Sequence, residues 1–425
     1  MNSLLLRQAN FRWLWLGQTL LFCGVQFWFV AITWLMLERT GSGTSLALVL
    51  MAAALPRGLL MLPGGALSDH HPPRTLAIRA AWALALCTAV LTLLAQRGAL
   101  DPGPVAILAA LFGSAEACVY PAAMALLPRL VAPRLLGQAH AWLQGSEQIS
   151  NVVGPALAGL ALAVSGAATA LALDTALLLL AAGCFLQLRP RPVPWLRERA
   201  GGLLKGMRES LGFAWRHRAI RTGLGLIAMI NLAVLGPVVI GVVELVTRRF
   251  GGGAATFGSL QAAYGAGALL GVALAGRCGR QPLRHPAAVL GWLSAALGLG
   301  LVGLAAAGHV WVAAAVLAAM GVAGGLVGVL ATVWLQRETP GPLQGRVMAL
   351  AMVAGVAFDP LSQALAGVLV DISLTALFLV GAGALLLTAL LVLRPGGGAA
   401  PIAFQEHDRR QPDANPASTL PRMDG

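Results

Sequence analysis

The chain has 425 residues, of which 58% are apolar and only 11% charged, with a formal net charge of +13 and a mean hydropathy of +0.79. A water-soluble domain carries roughly 25% charged residues, so this composition excludes a secreted enzyme, a nucleic-acid-binding protein and a disordered chain. A membrane span takes roughly 20 residues, and the length accommodates twelve of them with loops and ends to spare. What remains is an all-α polytopic membrane protein.

Apolar runs set against breakers predict helices over about 11–37, 45–67, 75–96, 103–127, 138–165 and 168–188, then 220–246, 254–276, 286–307, 310–335, 345–370 and 372–393. The first run is too long for the apolar core of a signal peptide and is kept as a span. Between the sixth and seventh, the stretch from Arg189 to Arg221 holds nine basic and two acidic residues. Within it Leu203, Met207, Leu211 and Trp215 recur every four residues among Lys205, Arg208, Arg216 and Arg218. That pattern predicts an amphipathic helix on the membrane surface; a solvated linker is the alternative. The tail from Arg394 is rich in Pro, Gly and polar residues and reads as disordered. The expected organisation is a first six-helix bundle over 1–188, a basic linker over 189–219, a second bundle over 220–393 and a tail over 394–425.

The basic residues sort by position. Of the 29, 24 fall in the ends and loops that alternate onto one side; Arg39, Arg97, Arg248 and Arg249 fall on the other, and Arg57 lies within a span. Cytoplasmic loops carry the excess of Lys and Arg, so both termini are expected in the cytoplasm, the protein in the inner (cytoplasmic) membrane, and the charge against anionic lipid. The lipid bilayer, not nucleic acid, is the expected partner. Cys23, Cys87, Cys118, Cys184 and Cys278 have no paired spacing, which argues against a disulfide framework or a zinc site. No metal or cofactor is expected.

The two halves repeat. Gly137-Gln138 matches Gly345-Arg346 at an offset of 208, and Pro155 matches Pro360 at 205. Arg129 falls opposite Arg337, and "SDHHPPR" after the second helix aligns with "AGRCGRQ" after the eighth at 207. Six helices duplicated in parallel about a long connector is the build of rocker-type secondary transporters, with substrate bound near the midplane.

On "FRWLWLGQTL" at 11–20, "GGALSD" at 64–69, "ALLPRLV" at 125–131, "VVGPALAG" at 152–159 and "RHRAIR" at 216–221, in this order and spacing, the chain resembles the major facilitator superfamily. Within it, the closest resemblance is to the enterobactin-exporter-like and macrolide-efflux-like branch, over about residues 5–393. The resemblance implies twelve transmembrane helices in two pseudo-symmetric six-helix bundles, with helices 1, 4, 7 and 10 lining a central cavity. It also implies export of drugs, macrolides or siderophores; import, lysophospholipid flipping or a non-transporting sensor are the rival readings.

Gly65, Asp69 and Arg74 resemble the superfamily's cytoplasmic gate motif, with His70 and two prolines departing from the usual pattern. The second copy keeps Arg277, Gly279 and Arg280 but has Gly276 in the aspartate position. Gly154, Pro155 and Gly159 resemble the helix 5 motif of exporters; a kinked packing contact accounts for them equally well.

A charge at the bilayer centre costs at least roughly 2.5–3.5 kcal/mol, so ionisable residues inside spans carry weight. They are Arg57, Glu116, Glu147 and Asp359, with Asp174 and Glu244 nearer the outer end. Glu116 has no acidic counterpart in the second half and is the leading candidate to carry a proton or cation. Asp359 precedes Pro360, and service to a kinked backbone is its alternative role; Arg57 is expected to pair with a buried carboxylate. Glu147 continues a polar stripe of Gln144, Gln148 and Asn151. Gln18 and Gln26 on helix 1, with Phe22 between, and Tyr120 and Asn231 are the cavity candidates in an otherwise apolar lining. Trp13, Trp15 and Trp311 are expected at the lipid interface. The single lysine, Lys205, is followed by Gly206 and Met207, so no G-x-x-x-x-G-K-[ST] phosphate loop exists. No nucleophile is paired with a base. The reading is a monomeric transporter of small molecules and protons, driven by an ion gradient and not by nucleotide hydrolysis, and not an enzyme.

Overall fold

The computed structural model describes residues 3–70, 72–98, 100–190, 212–278 and 285–394, and among these the ordered elements are all helices. They are labelled α1 (Ala9–Thr40), α2 (Gly43–His70), α3 (Pro73–Gln96), α4 (Pro102–Leu130), α5 (136–165), α6 (167–186), α7 (Arg218–Arg249), α8 (Ala254–Cys278), α9 (Pro286–Ala306), α10 (Val310–Glu338), α11 (Gly341–Val356 and Asp359–Ile372) and α12 (Leu374–Leu393).

Among the described residues, eleven helical stretches are long and apolar enough to cross a membrane. One of them, Pro133–Leu186, runs through α5 and α6 and reverses at Gly166, whose φ of 77° and ψ of 176° suit glycine. The reversal is read from the partners along α1. Trp15 bonds Ser146 and Gln26 bonds Asn151, so α5 runs with α1; Gly17 lies on Phe185 and Gly24 on Leu178 and Asp174, so α6 runs against it. Both arms serve one half.

The packing repeats with the sequence. In the first half α1 lies on α5 and α6, α2 on α4, and α3 on α4 and the α5–α6 pair; in the second α7 lies on α11 and α12, α8 on α10, and α9 on α10 and α12. Helices in lipid gain little from apolar burial against one another, so close backbone approach does the holding. Gly113 in α4 lies on the Ala53 carbonyl of α2, and Gly321, 208 residues on, lies on the Tyr264 carbonyl of α8. A methyl group at either would collide with that carbonyl. Phe11, Phe112 and Phe185 fill the first core and Phe257 and Phe378 the second.

The halves meet through α2 against α11 and α5 against α8, again a pair related by the repeat. This seam is closed at the end where α2 and α8 begin. Asp371, near the end of α11, accepts the Gly43 and Thr44 amide N–H groups at 2.9 and 3.0 Å and the Thr44 hydroxyl at 2.5 Å. A carboxylate of one half thus caps a helix of the other, where first-turn N–H groups lack partners and the dipole favours negative charge. Arg248 joins this cluster, bonded to Glu244 at 2.5 Å and 3.8 Å from Asp371. Nearby, Gly159 of α5 faces Ala254 and Gly258 of α8.

The linker expectation is only partly covered by the structure. Leu203, Met207 and Leu211 lie outside the described residues; 212–216 is helical, with Trp215 exposed and Ala214 packed with Ile220, Leu335 and Val347. The tail beyond Arg394 also lies outside them.

Candidate functional site

Three chain segments bring charge to one depth. Arg57 is 14 residues into α2 (57 less 43) and Glu116 is 14 residues into α4 (116 less 102), both helices starting at the closed end. Asp359 stands 13 residues before the end of α11 at that same end (372 less 359). At 1.5 Å per residue each lies roughly 20 Å in, deep in a hydrocarbon layer about 30 Å thick.

There the three form one ionic cluster. Arg57 Nη2 donates to Asp359 Oδ2 at 2.9 Å, and Arg57 Nη1 faces Glu116 Oε1 at 3.4 Å. Asp359 is the first residue of the second α11 segment, after a break at Ala357–Phe358, so it also stands at a positive helix end. Pro360 follows as the second residue of that segment, where the missing N–H costs nothing. From this position the carboxylate meets Arg57 across the seam. Expected pairing of Arg57 with one carboxylate becomes pairing with two, one from each half. Three formal charges sum to −1, and a single proton neutralises the cluster.

The cluster opens on a cavity of about 410 Å³ lined by Arg57, Glu116, Gln18, Gln26, Glu147 and Asn151 with apolar neighbours. A second cavity of about 940 Å³, sharing Gln144 and Met352 with the first, is lined by residues of α7, α8, α10 and α11 including Asn231, Tyr264 and Thr332. Gln336 and Met348 place its mouth on the face that carries the basic loops, away from the closed seam. The lining therefore draws on α2, α5, α8 and α11 as well as on helices 1, 4, 7 and 10.

The polar candidates differ in how they are held. Gln26 donates to Asn151 across α1 and α5, and Asn231 bonds its own helix at Ile227. Gln18 is 0% exposed, and neither its amide nitrogen nor its oxygen has a partner among the described residues. Glu147 has none either. Gly154 lies against the Gln26 side chain, and Pro155 sits within a continuous helix. Trp15 departs from expectation: it lies edge-on to Trp142 and bonds Ser146, because α5 passes beside it, whereas Trp13 and Trp311 are exposed as expected. Arg74 donates to the Leu186 carbonyl at 2.7 Å. The side chains of Gly65, Asp69, Tyr120 and Arg277, and all of Gly279 and Arg280, lie outside the described residues. No cluster of three His, Cys, Asp or Glu suited to a metal occurs among the described residues.

Two interactions went unanticipated. Asp371 was hidden because a carboxylate at a helix end is ordinary surface chemistry until the partner helix is known. Tyr264 was hidden because one aromatic in an apolar helix carries no periodic signal.

Residues 4–397 match the family described as transmembrane secretion effector. An uncharacterized MFS-type transporter of Sinorhizobium fredii is 30% identical over 373 residues, covering 83% of this chain and 86% of that protein. A multidrug efflux pump, Tap, of Mycobacterium tuberculosis is 32% identical over 220 residues, about half the length of each. Among solved structures, a nucleoside transporter (NupG, D323A mutant) superposes with a TM-score of 0.73 at 12% identity over 90% of this chain and 98% of that one. A bacterial homologue of ferroportin in an inward-facing state superposes at 0.72 and 17% identity, over 91% and 98%. At these identities the structures speak to the fold alone.

Proposed function

The chain belongs to the major facilitator superfamily, and from that premise we propose that it exports small amphipathic compounds in exchange for protons, by alternating access, from the cell membrane. The observation that carries this reading is the bond from Arg57 of the first half to Asp359 of the second, within a cluster one proton short of neutral. Proton binding to Asp359 weakens the tie between the halves, and proton binding to Glu116 leaves Arg57 to Asp359 alone, so ion occupancy and domain position move together. Similarity to a multidrug efflux pump over half the chain supports export and the drug-like substrate range.

In this reading the twelve crossings count α5 and α6 separately, the basic loops and both termini are cytoplasmic, and the protein works as a monomer of two bundles joined by the basic linker. The seam at Asp371 then closes the outer side and the two cavities face the cytoplasm, ready to load. Glu116 takes up and releases the proton, Asp359 and Arg57 transmit its state, and Gln18, Gln26 and Asn231 line the path. The Gly65–Asp69–Arg74 motif closes the cytoplasmic side in the opposite state, and Gly154, Pro155 and Gly159 let α5 pack closely as it moves.

Uptake of dyes, macrolides and siderophores into energised inside-out vesicles, with and without a protonophore, tests the reading. Accumulation that the protonophore abolishes is expected; accumulation that persists without a proton gradient overturns it.

A further inference from the structure

The charges around the substrate space do not balance, and the imbalance has a place. Of the ionisable groups lining the 410 Å³ cavity, Arg57 is already engaged by Glu116 and by Asp359 behind it. Glu147, on α5, lines the same cavity with no hydrogen bond or ion pair among the described residues. Among the described residues, the adjoining 940 Å³ space adds amides, hydroxyls and apolar side chains but no Asp, Glu, Lys or Arg. Among the described residues, a compound in the joined space therefore meets one charge without a partner, and it is negative.

A second observation at the same cavity points to a ligand. Gln18 is 0% exposed and lines this space, yet its side-chain donor and acceptor both lack partners among the described residues. A buried amide left wholly unbonded is costly. Its polar atoms are shielded from the cavity as they stand, and turning the side chain lets an occupant supply the bonds they lack. Around these two groups stand Leu21, Phe22, Val25 and Met352, an apolar wall of the kind that buries most of a drug-sized molecule while a few polar groups orient it.

We infer that the cavity selects amphipathic organic cations, with Glu147 as the recognition carboxylate facing the positive centre and Gln18 bonding a polar group of the same molecule. This rests on the export reading and deepens it, dividing the acidic residues by task. Glu116 and Asp359 are tied to Arg57 and serve the coupling ion; Glu147 is free to meet cargo. An unpaired charge in such surroundings is expensive, and an arriving cation offsets that cost.

Binding to the purified full chain tests this without asking it to transport. The probes are tetraphenylphosphonium and tetraphenylborate, which share size and shape and differ in the sign of charge. The wild type is expected to prefer the phosphonium by at least about tenfold, the scale of one charged partner. Glu147→Gln is expected to bring that ratio near one, and Glu147→Asp to retain most of it. A wild-type preference for the borate, which would place recognition on Arg57, overturns the inference; so does an undiminished phosphonium preference in a monodisperse Glu147→Gln protein. If Glu147→Gln does not fold, the wild-type ratio and the Glu147→Asp variant still decide. Charge-selective binding without proton-dependent flux in vesicles would sink the export reading and leave the cation site standing.

Discussion

The two halves share a scaffold and differ in what the scaffold carries. Gly113 and Gly321 occupy corresponding places and bring α4 against α2 and α10 against α8 in the same manner. One turn further along, the first half sets Glu116 3.4 Å from Arg57. The second half has Gly324 at the place of Glu116 (offset 208) and Tyr264 at the place of Arg57 (offset 207), and a Cβ built on Gly324 would lie 3.3 Å from the Tyr264 hydroxyl. Asp359 is likewise unmatched, its counterpart Gly154 lying against Gln26. The same helix contacts form with and without charge. The fold does not need the ionic cluster, which points to chemistry as the reason three expensive groups are kept in the membrane.

Substitutions sharpen this contrast. The largest effect is expected from Arg57→Leu, which leaves two carboxylates without their cation; breaking a fully buried pair costs roughly 3–5 kcal/mol, and this half-buried one less, read as a lowered midpoint in thermal unfolding. Adding Glu116→Gln and Asp359→Asn to that variant should return most of the stability while transport stays absent. A triple variant as unstable as the single one would mean that the cluster is scaffold after all. Glu116→Gln alone should insert normally and lose uphill transport, measured as protonophore-sensitive accumulation in vesicles; full retention would contradict its role.

A smaller effect belongs to the closed seam. Asp371→Ala removes the acceptor that caps α2, and the loss of a helix cap costs about 0.5–2 kcal/mol. The expected result is faster thiol labelling of a Ser45→Cys reporter, since the halves part more often at that end. Labelling at the wild-type rate would show that glycine packing closes the seam unaided. The smallest effect is expected at the uncharged counterpart: Tyr264→Phe should change stability by no more than about 0.5 kcal/mol, checked in the same unfolding assay that registers Arg57→Leu.

Much of this architecture was legible in the chain because lipid leaves few choices. Helix positions followed from apolar runs, and the repeat was visible in Pro155 with Pro360 and in Arg129 with Arg337. The ionisable residues were legible too, since each stands out in a span. Their grouping was not. Arg57 and Asp359 lie 302 positions apart, and no periodicity within one helix reports which helix of the other half it will face. Nor could spacing separate Glu147 from Glu116, two carboxylates in neighbouring spans; only the finding that Arg57 reaches Glu116 and Asp359 divides them. The α5–α6 reversal was predicted near its place, between 165 and 168, and the structure puts it at Gly166.

In the proposed cycle the protonation state of the Arg57–Glu116–Asp359 cluster sets the relation between the halves. Spin labels at Arg134 and Gln336, exposed on the basic-loop face of opposite halves, report that relation directly, with no substrate required. The distance distribution is expected to shift between acid and neutral pH in the wild-type background and to stop shifting when Glu116→Gln and Asp359→Asn are combined. A distribution that ignores pH in the wild-type background, or one that shifts equally in the doubly neutral variant, would contradict that cycle.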